Sequence, residues 1–377
     1  MRVVFDARHL QTVSRTRGIG RYSRNLLAAF ARNAPADISW TLLELRNFAP
    51  ADASPLPPHR TRATYRLRRP ELTMLALDPV LLPFELAGQG DLYHSVQLGL
   101  PAIRHTPVVL TIHDLAPLHW PSHYLKLPYA RVGHAWQYAL AQRADAIIAV
   151  SEATKADVIA RLRIPAERIR VIPEAVDASF RPPSHETGAA VARDRFGVPG
   201  RYVLYVGQFD PRKNMAGLFG AFARAADRDR DLRLVIVGTL GKLAGLMRDA
   251  LARSRVDPAQ VVVAGGVDDG TLAALYAGAE CLLHAAWLEG FGLTALEALA
   301  AGTPVVGYRA GAVAEVVGEA GLLVDEREPD ALGGALVTLL DDAALRSDLR
   351  ARAKPRAARF SWDRAAEDTL AVYRTLT

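Results

Sequence analysis

Short apolar runs alternate along this chain with longer segments in which apolar residues recur every three or four positions. Residues 107–115 form a continuous apolar run that ends in polar residues, and such strands are typical of parallel sheets covered on both faces. After a Gly-Ile-Gly sequence at 18–20, Tyr22, Leu26 and Phe30 share one helical face. The alternation of strand and helix patterns predicts an α/β fold with parallel sheets.

The alternation occurs in both halves of the chain, which predicts two Rossmann-like domains. Strands are expected at residues 3–5, 40–45, 91–95, 107–115, 146–150 and 169–172, and again at 202–207, 232–238, 261–264, 281–284 and 305–307. Prolines at 50, 55, 57, 58, 70 and 79 predict that residues 48–79 are irregular. We expect domains at 1–180 and 189–358, a linker at 181–188 and a final helix within 359–377.

The most informative stretch is residues 287–304, which predicts a turn, a helix and a stop. Glu289-Gly290-Phe291-Gly292 disfavours helix because of its two glycines, good helix formers follow from Leu293, and the run ends before Pro304. A glycine turn that opens a helix leaves free N–H groups, which suit a phosphate. Glu289 and Glu297 would repel phosphate, but each can accept hydrogen bonds from hydroxyls. A nucleotide sugar offers hydroxyls on both sides of its diphosphate.

Two cations, Arg212 and Lys213, follow the predicted strand at 202–207. An arginine can bind phosphate oxygens bidentately and a lysine adds a point charge. Because charge builds on a diphosphate as its bond to a sugar breaks, fixed cations at this position would favour the transition state.

His113 and Asp114 end the apolar strand at 107–115, and side chains at the carboxyl ends of parallel strands line the ligand crevice. His113, His119 and His123 are separated by prolines that prevent one helix from gathering them, so a metal site is not expected there. The Asp-Arg-Asp sequences within 227–231 lie in a charged run after a helix and are interpreted as solvated surface. We therefore predict no metal and no cofactor beyond a nucleotide diphosphate sugar.

The basic residues are concentrated in the first half of the chain. Residues 1–180 contain 22 Lys and Arg against 15 Asp and Glu, a net charge of +7, whereas the remainder has 24 against 25. The densest cluster lies at 60–69. Peripheral contact with anionic lipid, a phosphorylated acceptor and a solvated loop all remain open as explanations, whereas nucleic acid is not expected as a partner.

The compartment is predicted from three features. Cys281 is the one cysteine, so no disulfide framework is possible, which fits a reducing compartment. The N-terminus has the pattern of a short strand rather than a signal peptide, and no apolar run approaches the ~20 residues that span a bilayer. A cytoplasmic protein is expected, with the inner face of the membrane as one location.

Several of these motifs together resemble one enzyme family. Glu289 and Glu297 with seven residues between them, Gly-Ile-Gly-Arg-Tyr-Ser-Arg-Asn-Leu-Leu from Gly18, and Arg212-Lys213-Asn214 resemble motifs of the retaining glycosyltransferases of family 4 with the GT-B fold. The sequences at 144–154 and 171–177 are also similar. The resemblance runs from Gly18 to the final helix and is strongest to the branch that contains O-antigen mannosyltransferases.

The resemblance implies two facing Rossmann-like domains with a C-terminal helix that crosses back to the first. It implies a retaining hexosyltransferase that moves a mannose-like sugar, from GDP-mannose or a related donor, to a saccharide or lipid-linked saccharide acceptor in polysaccharide synthesis. The base is expected near residues 238–242 and 265–267. Attack from the face that the leaving group vacates is the mechanism usually proposed for such enzymes, and no carboxylate is clearly placed as a nucleophile.

The resemblance also assigns roles to individual residues. His113 would face the donor sugar and Glu289 would orient its hydroxyls, as the catalytic pair. Donor binding would fall to the following set: Gly18, Gly20, Arg212, Lys213, Gly290, Phe291, Gly292, Leu293 and Glu297. Gln208 occupies a position where some members carry an arginine, so a third cation is in doubt.

Two other classes of protein are less consistent with the sequence. A Rossmann dehydrogenase or sugar-nucleotide epimerase would carry a complete Gly-x-Gly-x-x-Gly after the first strand, where this chain has Gly-Ile-Gly-Arg-Tyr-Ser. A catalytically silent binding module would not need Glu289, Glu297, Arg212 and Lys213 together.

Overall fold

A computed structural model describes residues 1–16, 18–33, 35–51, 55–67, 70–177, 179–238, 244–325 and 328–377. The chain divides into two compact units. Unit 1 is Met1–Asp177 with Ser361–Thr377, and unit 2 is Ala178–Phe360. The C-terminal helix is therefore grouped with the N-terminal residues.

Unit 1 is built on a parallel sheet. Over its described residues the strands are β1 (Arg2–Asp6), β2 (Ser39–Glu44), β3 (His59–Ala63), β4 (Leu92–Ser95), β5 (Val108–Ile112), β6 (Ala146–Ala149) and β7 (Ile169–Val171). They lie in the order β3-β2-β1-β4-β5-β6-β7. The central strands β4 and β5 are buried along their whole length, as continuous apolar runs require.

Helices cover both faces of this sheet. Those described in unit 1 are α1 (Gly18–Asn33), α2 (Pro70–Leu86), α3 (Ala116–His119), α4 (Pro121–Tyr124), α5 (Pro128–Ala141), α6 (Glu152–Leu162) and α15 (Trp362–Arg374). Short 3-10 turns occur at Arg8–Gln11, Val13–Thr16 and Ala166–Arg168. Helix α15 packs on α1. Tyr373 of α15 is fully buried, and its hydroxyl oxygen lies 2.5 Å from Nδ1 of His94.

Unit 2 repeats the plan with a smaller sheet. Its strands, among the residues described, are β8 (Tyr202–Val206), β9 (Arg233–Val237), β10 (Val261–Gly265), β11 (Cys281–His284), β12 (Val305–Tyr308) and β13 (Gly321–Val324). All their pairings are parallel, in the order β10-β9-β8-β11-β12-β13. The parallel α/β architecture predicted from the sequence is thus confirmed in both units.

The helices of unit 2 complete its layers. They are α7 (His185–Phe196), α8 (Met215–Ala226), α9 (Ala244–Arg253), α10 (Asp269–Gly278), α11 (Leu293–Ala300), α12 (Val313–Val317), α13 (Pro329–Asp341) and α14 (Ala343–Ala357). Further 3-10 turns occur at Pro211–Lys213 and Pro258–Gln260. Phe219, Phe222 and Leu336 are fully buried in one apolar cluster with strands β8, β9 and β11.

The prediction that residues 48–79 are irregular is wrong, because β3 and much of α2 lie there. Helix α2 contains Pro79 and Pro83, and each proline deprives the carbonyl four residues earlier of its helical donor. The Gln137 side chain donates instead to the Leu75 carbonyl at 3.2 Å. The backbone N–H of Ala102 donates to the Pro79 carbonyl at 2.9 Å. With both carbonyls bonded from outside, the helix continues through its prolines.

The predicted linker also needs correction. Residues 185–188 are the first turn of α7, because the Ser184 side chain caps that helix by accepting from the Thr187 N–H at 3.2 Å. The Gly18-Ile-Gly20 sequence opens α1, as expected, and forms its first turn. A Cβ atom on Gly20 would lie 2.4 Å from the carbonyl oxygens of Ser14 and Arg15, so the close packing there requires glycine.

Candidate active site

The strand order of unit 2 creates a crevice between two neighbouring strands. Strand β8 lies between β9 and β11 in the sheet. The chain continues from β8 to β9 on one side and from β11 to β12 on the other, so the loops after β8 and β11 diverge at a topological switch point. Ligands of open α/β sheets bind outside the carboxyl ends of strands at such points. The two loops are joined here, because the Trp287 N–H donates to the Arg212 carbonyl at 2.7 Å.

Arg212 and Lys213 lie in the loop after β8, where the backbone is fixed by local hydrogen bonds. The Asp210 carboxylate accepts from the Arg212 N–H at 3.1 Å and starts the 3-10 turn Pro211–Lys213. Asn214 then adopts a left-handed conformation with φ of 52° and caps α8 by accepting from the Gly217 N–H at 3.0 Å. Asn214 therefore directs the chain from the turn into the helix.

Glu289, in the loop after β11, contacts both cations. Arg212 Nη1 donates to Glu289 Oε2 at 3.1 Å, and Lys213 Nζ donates to Oε1. His284, the last residue of β11, places Nε2 3.3 Å from the same Oε1. The structure therefore brings the two cations of the loop after β8 to a carboxylate that lies 76 residues from Lys213 in the sequence.

The Glu289 side chain is held in its ionised form. Only 7% of the residue is exposed, and burial alone would raise the pKa of the carboxyl. The Lys213 ammonium, the Arg212 guanidinium and the His284 ring oppose burial, and the net pKa lies well below the ordinary 4.5. At neutral pH Glu289 is thus a hydrogen-bond acceptor and not a proton donor.

The backbone of Glu289 is fixed by the loop after β12. The Ala312 N–H donates to the Glu289 carbonyl at 3.1 Å. Gly311 lies so close that a Cβ atom there would be 2.4 Å from the same carbonyl oxygen, and its φ of 54° is in the left-handed region. Gly311 is therefore required for the position of Glu289.

Gly290, Phe291, Gly292 and Leu293 lead directly into α11. Gly292 is the N-cap, with φ of 97°, a conformation that favours glycine. Because Gly292 has no side chain, it supplies no capping oxygen to the first-turn N–H groups of α11. Such uncapped N–H groups suit an anionic ligand. Phe291 is 6% exposed and packs edge-on against Phe360, with ring centroids 5.6 Å apart. Its ring anchors the turn in the core.

Glu297 has different surroundings from Glu289. It lies one turn into α11, is 1% exposed and accepts a hydrogen bond from the Tyr276 hydroxyl at 2.8 Å. The two glutamates are therefore not equivalent: one lies in a cluster of cations and the other in the interior. A role for Glu297 in binding a sugar hydroxyl stays a prediction.

His113 and the Gly18-Ile-Gly20 turn belong to unit 1. His113 directly follows β5, and its Nδ1 lies 3.0 Å from Oε1 of Glu174, which follows β7. Glu174 is 3% exposed. The Tyr22 ring contacts His113 edge-on at 4.8 Å between centroids. Gly18 and Gly20 form the first turn of α1, which also carries Tyr22.

Two functional candidates were not found from the sequence. His284 ends an apolar strand and Glu174 follows a three-residue strand, so neither position stands out until the sheet is assembled. The one available signal was their place after strands, which also pointed to His113. Of the segments expected near the base, residues 239–242 lie outside the described residues, and Gly265 ends β10. No cluster of three or more candidate metal ligands is found in the part of the chain that the structure describes.

Two family models match successive parts of the chain. The family model described as Glycosyltransferase Family 4 matches residues 16–180, and the model described as Glycosyl transferases group 1 matches residues 193–356. A D-inositol 3-phosphate glycosyltransferase from Salinispora arenicola is 32% identical over 313 residues, which cover 76% of this chain and 69% of that protein. The chain belongs to glycosyltransferase family 4.

Another relative of this glycosyltransferase is the O-antigen chain mannosyltransferase B of Escherichia coli, 29% identical over 95% of this chain and 96% of that protein. Among solved structures, Anabaena HepE in complex with UDP and glucose aligns over 100% of both chains with a TM-score of 0.76 at 18% identity. At that identity the likeness concerns the fold, and it confirms the predicted GT-B architecture of two parallel-sheet domains. Across the described ranges, no helix of this glycosyltransferase is both long and apolar enough to cross a bilayer.

Proposed function

We propose that this glycosyltransferase is a retaining, metal-independent hexosyltransferase. It moves a mannose-like sugar from a nucleotide diphosphate sugar to a saccharide or lipid-linked saccharide acceptor in the synthesis of a cell-surface polysaccharide. The observation that carries the proposal is the cluster of Arg212, Lys213 and Glu289 at the switch point of unit 2.

The two cations have the chemistry that a diphosphate requires. Arg212 and Lys213 are 21% and 11% exposed at their side chains, so their charges are poorly screened by water. Glu289 now balances part of this charge. A diphosphate would compete with the carboxylate for both cations, and the open amides of α11 would add further donors. No divalent ion is needed to neutralise the phosphates in this scheme.

We propose that Glu289 then accepts hydrogen bonds from hydroxyls of the donor sugar. An ionised carboxylate suits this role, since the lowered pKa of Glu289 prevents it from donating a proton at neutral pH. The same charge would stabilise an oxocarbenium-like sugar as the bond to the diphosphate breaks. Glu289 thereby contributes to transfer more than to donor affinity.

The bond changes of the proposed reaction involve no covalent intermediate with the enzyme, since no carboxylate among the described residues is assigned as a nucleophile. The bond between C1 of the sugar and the diphosphate oxygen breaks, and its electron pair stays on the phosphate. The acceptor oxygen forms the new bond to C1 on the same face, and its proton goes to the departing phosphate. Arg212 and Lys213 stabilise the charge that develops on that phosphate, and we assign His113 to the donor sugar.

The nature of the sugar and acceptor is supported by relatives. The Escherichia coli protein that aligns over nearly its whole length is an O-antigen chain mannosyltransferase, and a second relative from that organism is a serotype-specific mannosyltransferase. Mannose and a growing polysaccharide are therefore the favoured substrates, and GDP-mannose the favoured donor.

A donor and acceptor screen tests the proposal. The protein is incubated with GDP-mannose, UDP-glucose or ADP-glucose and a mannoside acceptor, with EDTA present, and the product is examined by NMR. The expected result is transfer from GDP-mannose with the α configuration of the donor retained. A β product, transfer only after Mg²⁺ or Mn²⁺ is added, or no transfer from any donor would overturn the corresponding part of the proposal.

A further inference from the structure

Helices α2 and α5 of unit 1 carry large apolar side chains on their solvent faces. In each helix these residues are spaced by three and four positions, so they form one row. The rows are Leu77, Val80 and Phe84, exposed by 38%, 52% and 75%, and Tyr129, Val132 and Trp136, exposed by 45%, 65% and 39%. Single exposed apolar residues are ordinary on protein surfaces, but two rows on adjacent helices are not.

The two helices lie side by side on one face of the sheet. Right-handed crossovers put both on the same side, because the connections β3-α2-β4 and β5-α5-β6 run in the same direction across the strand order. A Cβ atom on Gly133 of α5 would lie 3.2 Å from Cβ of Leu75 on α2, so the helices are in close contact. Ile103 is 64% exposed and lies next to α2, because the N–H of the preceding residue, Ala102, donates a hydrogen bond to the Pro79 carbonyl of that helix. We name this surface, formed by the two rows and Ile103, the α2–α5 face.

Helix α2 is apolar on both its buried and its exposed sides. The charged residues within 74–86 are Asp78, fully buried against Arg8, and Glu85, which pairs with Arg62 at 3.0 Å. Neither interrupts the exposed row. A helix that is apolar all round is typical of one that is covered or meets lipid, not one that faces water on one side.

The surroundings of the face are basic. No acidic residue occurs in residues 115–144, which include α5, whereas Lys126, Arg131 and Arg143 are exposed there. Residues 1–180 as a whole carry a net charge of +7, from 22 basic and 15 acidic side chains. The charge complement of such a face is an anionic surface.

We propose that the α2–α5 face docks onto the surface of an anionic lipid bilayer. Phe84, Val132 and Trp136 enter the boundary between headgroups and acyl chains, and Lys126 and Arg131 lie at the level of the lipid phosphates. Aromatic residues and long basic side chains are the groups that favour this depth. The inference goes beyond the proposed function, since it concerns where the enzyme works and not what it transfers.

Vesicle co-sedimentation of the full chain tests the docking. Vesicles of phosphatidylglycerol with phosphatidylcholine are compared with vesicles of phosphatidylcholine alone, without donor or acceptor. We expect binding to the anionic vesicles that weakens with added salt. V80S/F84S and V132S/W136S should each lower the partition coefficient by about ten-fold or more, because each removes two exposed apolar side chains of the α2–α5 face from the contact with lipid. The control is Val263→Ser, a valine of unit 2 that is 39% exposed.

A charge reversal tests the basic rim separately. K126E/R131E should lower binding to anionic vesicles while leaving the weak binding to neutral vesicles unchanged. Arg230→Glu, an exposed arginine of unit 2, is the control. Circular dichroism and transfer to a water-soluble acceptor establish that each variant is folded and active, so a failure of docking is distinguishable from a failure of the proposed function.

Three results would overturn the inference. One is the absence of binding to anionic vesicles. Another is binding that persists in both apolar double variants, which would place the contact elsewhere, for example in residues 60–69. The third is self-association in sedimentation equilibrium that V80S/F84S abolishes, which would make the face an interface between copies of this chain.

Discussion

Nδ1 of His113 lies 3.0 Å from Oε1 of Glu174, across 61 residues of sequence. The two residues follow β5 and β7, so Glu174 reaches past the intervening β6. A carboxylate at Nδ1 favours the tautomer with a proton on that nitrogen and leaves Nε2 as a hydrogen-bond acceptor. Nε2 of His113 and Oε2 of Glu174 are buried, and neither has a hydrogen-bond partner among the described residues.

Glu174→Leu should therefore impair catalysis through His113. We expect kcat to fall by about ten-fold or more, because the ring loses its fixed tautomer and orientation, while KM for the donor changes little. Glu174→Gln keeps a hydrogen-bonding oxygen and should recover part of the loss. Steady-state kinetics with the same donor and acceptor measure both.

A double-mutant cycle separates this role from general destabilisation. H113A/E174L should be no slower than His113→Ala alone, since Glu174 acts through the ring. Glu167→Gln, an exposed glutamate of unit 1, is the control. Losses in the two single variants that multiply in the double variant would contradict the assignment.

The ionised state of Glu289 predicts a dependence of stability on pH. Its folded pKa is lowered, so its contribution is fully present above the unfolded value of 4.5 and is lost as pH falls through the folded pKa. At neutral pH, Glu289→Gln should lower the free energy of unfolding by about 3 kcal/mol, because two partly buried cations lose the charge of their partner. Urea unfolding at several pH values should show this difference shrinking in acid. A constant difference would mean that Glu289 is not held ionised by its neighbours.

Substitution of Glu289 and substitution of the two cations should have different effects on the affinity for nucleotide. Arg212→Gln and Lys213→Gln remove charge-assisted bonds to a diphosphate and should weaken GDP or UDP binding by about ten-fold or more each. Glu289→Gln removes a competitor for both cations, so nucleotide should bind as tightly as before or more tightly, although transfer is lost. Isothermal titration calorimetry, with Arg230→Gln as control, measures the affinities. Weaker nucleotide binding in Glu289→Gln would contradict the competition.

The fold and the cation cluster could be predicted because their signals are local. The strand Cys281–His284 has the predicted bounds, since its three apolar residues and His284 lie between the end of α10 and the glycine turn at 289–292. Arg212 and Lys213 follow a buried strand, and parallel sheets collect such residues at one edge. What the sequence does not show is that the Glu289 carboxylate pairs with both cations.

The errors arise where distant residues decide the local structure. Strand β3 has the sequence His-Arg-Thr-Arg-Ala and is largely exposed, so it lacks the apolar pattern of a buried strand and depends on its pairing with β2. Pro79 predicts a helix end, yet α2 continues because Gln137 and Ala102 bond the freed carbonyls. The sequence does not indicate a role for Glu174, because its contact with His113 exists only in the assembled sheet. Each of these partners lies outside the window that a local pattern covers.

Gln137 should accordingly contribute strongly to the stability of unit 1. It is fully buried, its Oε1 accepts from the Leu100 N–H at 2.9 Å, and its amide donates to the Leu75 carbonyl that Pro79 leaves without a donor. Gln137→Met keeps the volume but leaves two backbone groups unpaired, which should cost about 3 kcal/mol. Gln142→Met removes one bond of a more exposed glutamine and should cost less.

The hydrogen bond between Gln137 and the Leu75 carbonyl also predicts that Pro79→Ala restores part of the stability lost in Gln137→Met, which a loss of packing alone would not predict. In the Gln137→Met background, Pro79→Ala supplies a backbone N–H to the Leu75 carbonyl, so about 1 kcal/mol of the lost stability should return. In the wild-type chain that carbonyl already accepts from Gln137, so Pro79→Ala should give little gain. Denaturant unfolding of the four proteins measures the coupling. If Pro79→Ala changes stability equally in both backgrounds, the Gln137 amide is not what allows α2 to continue through its proline.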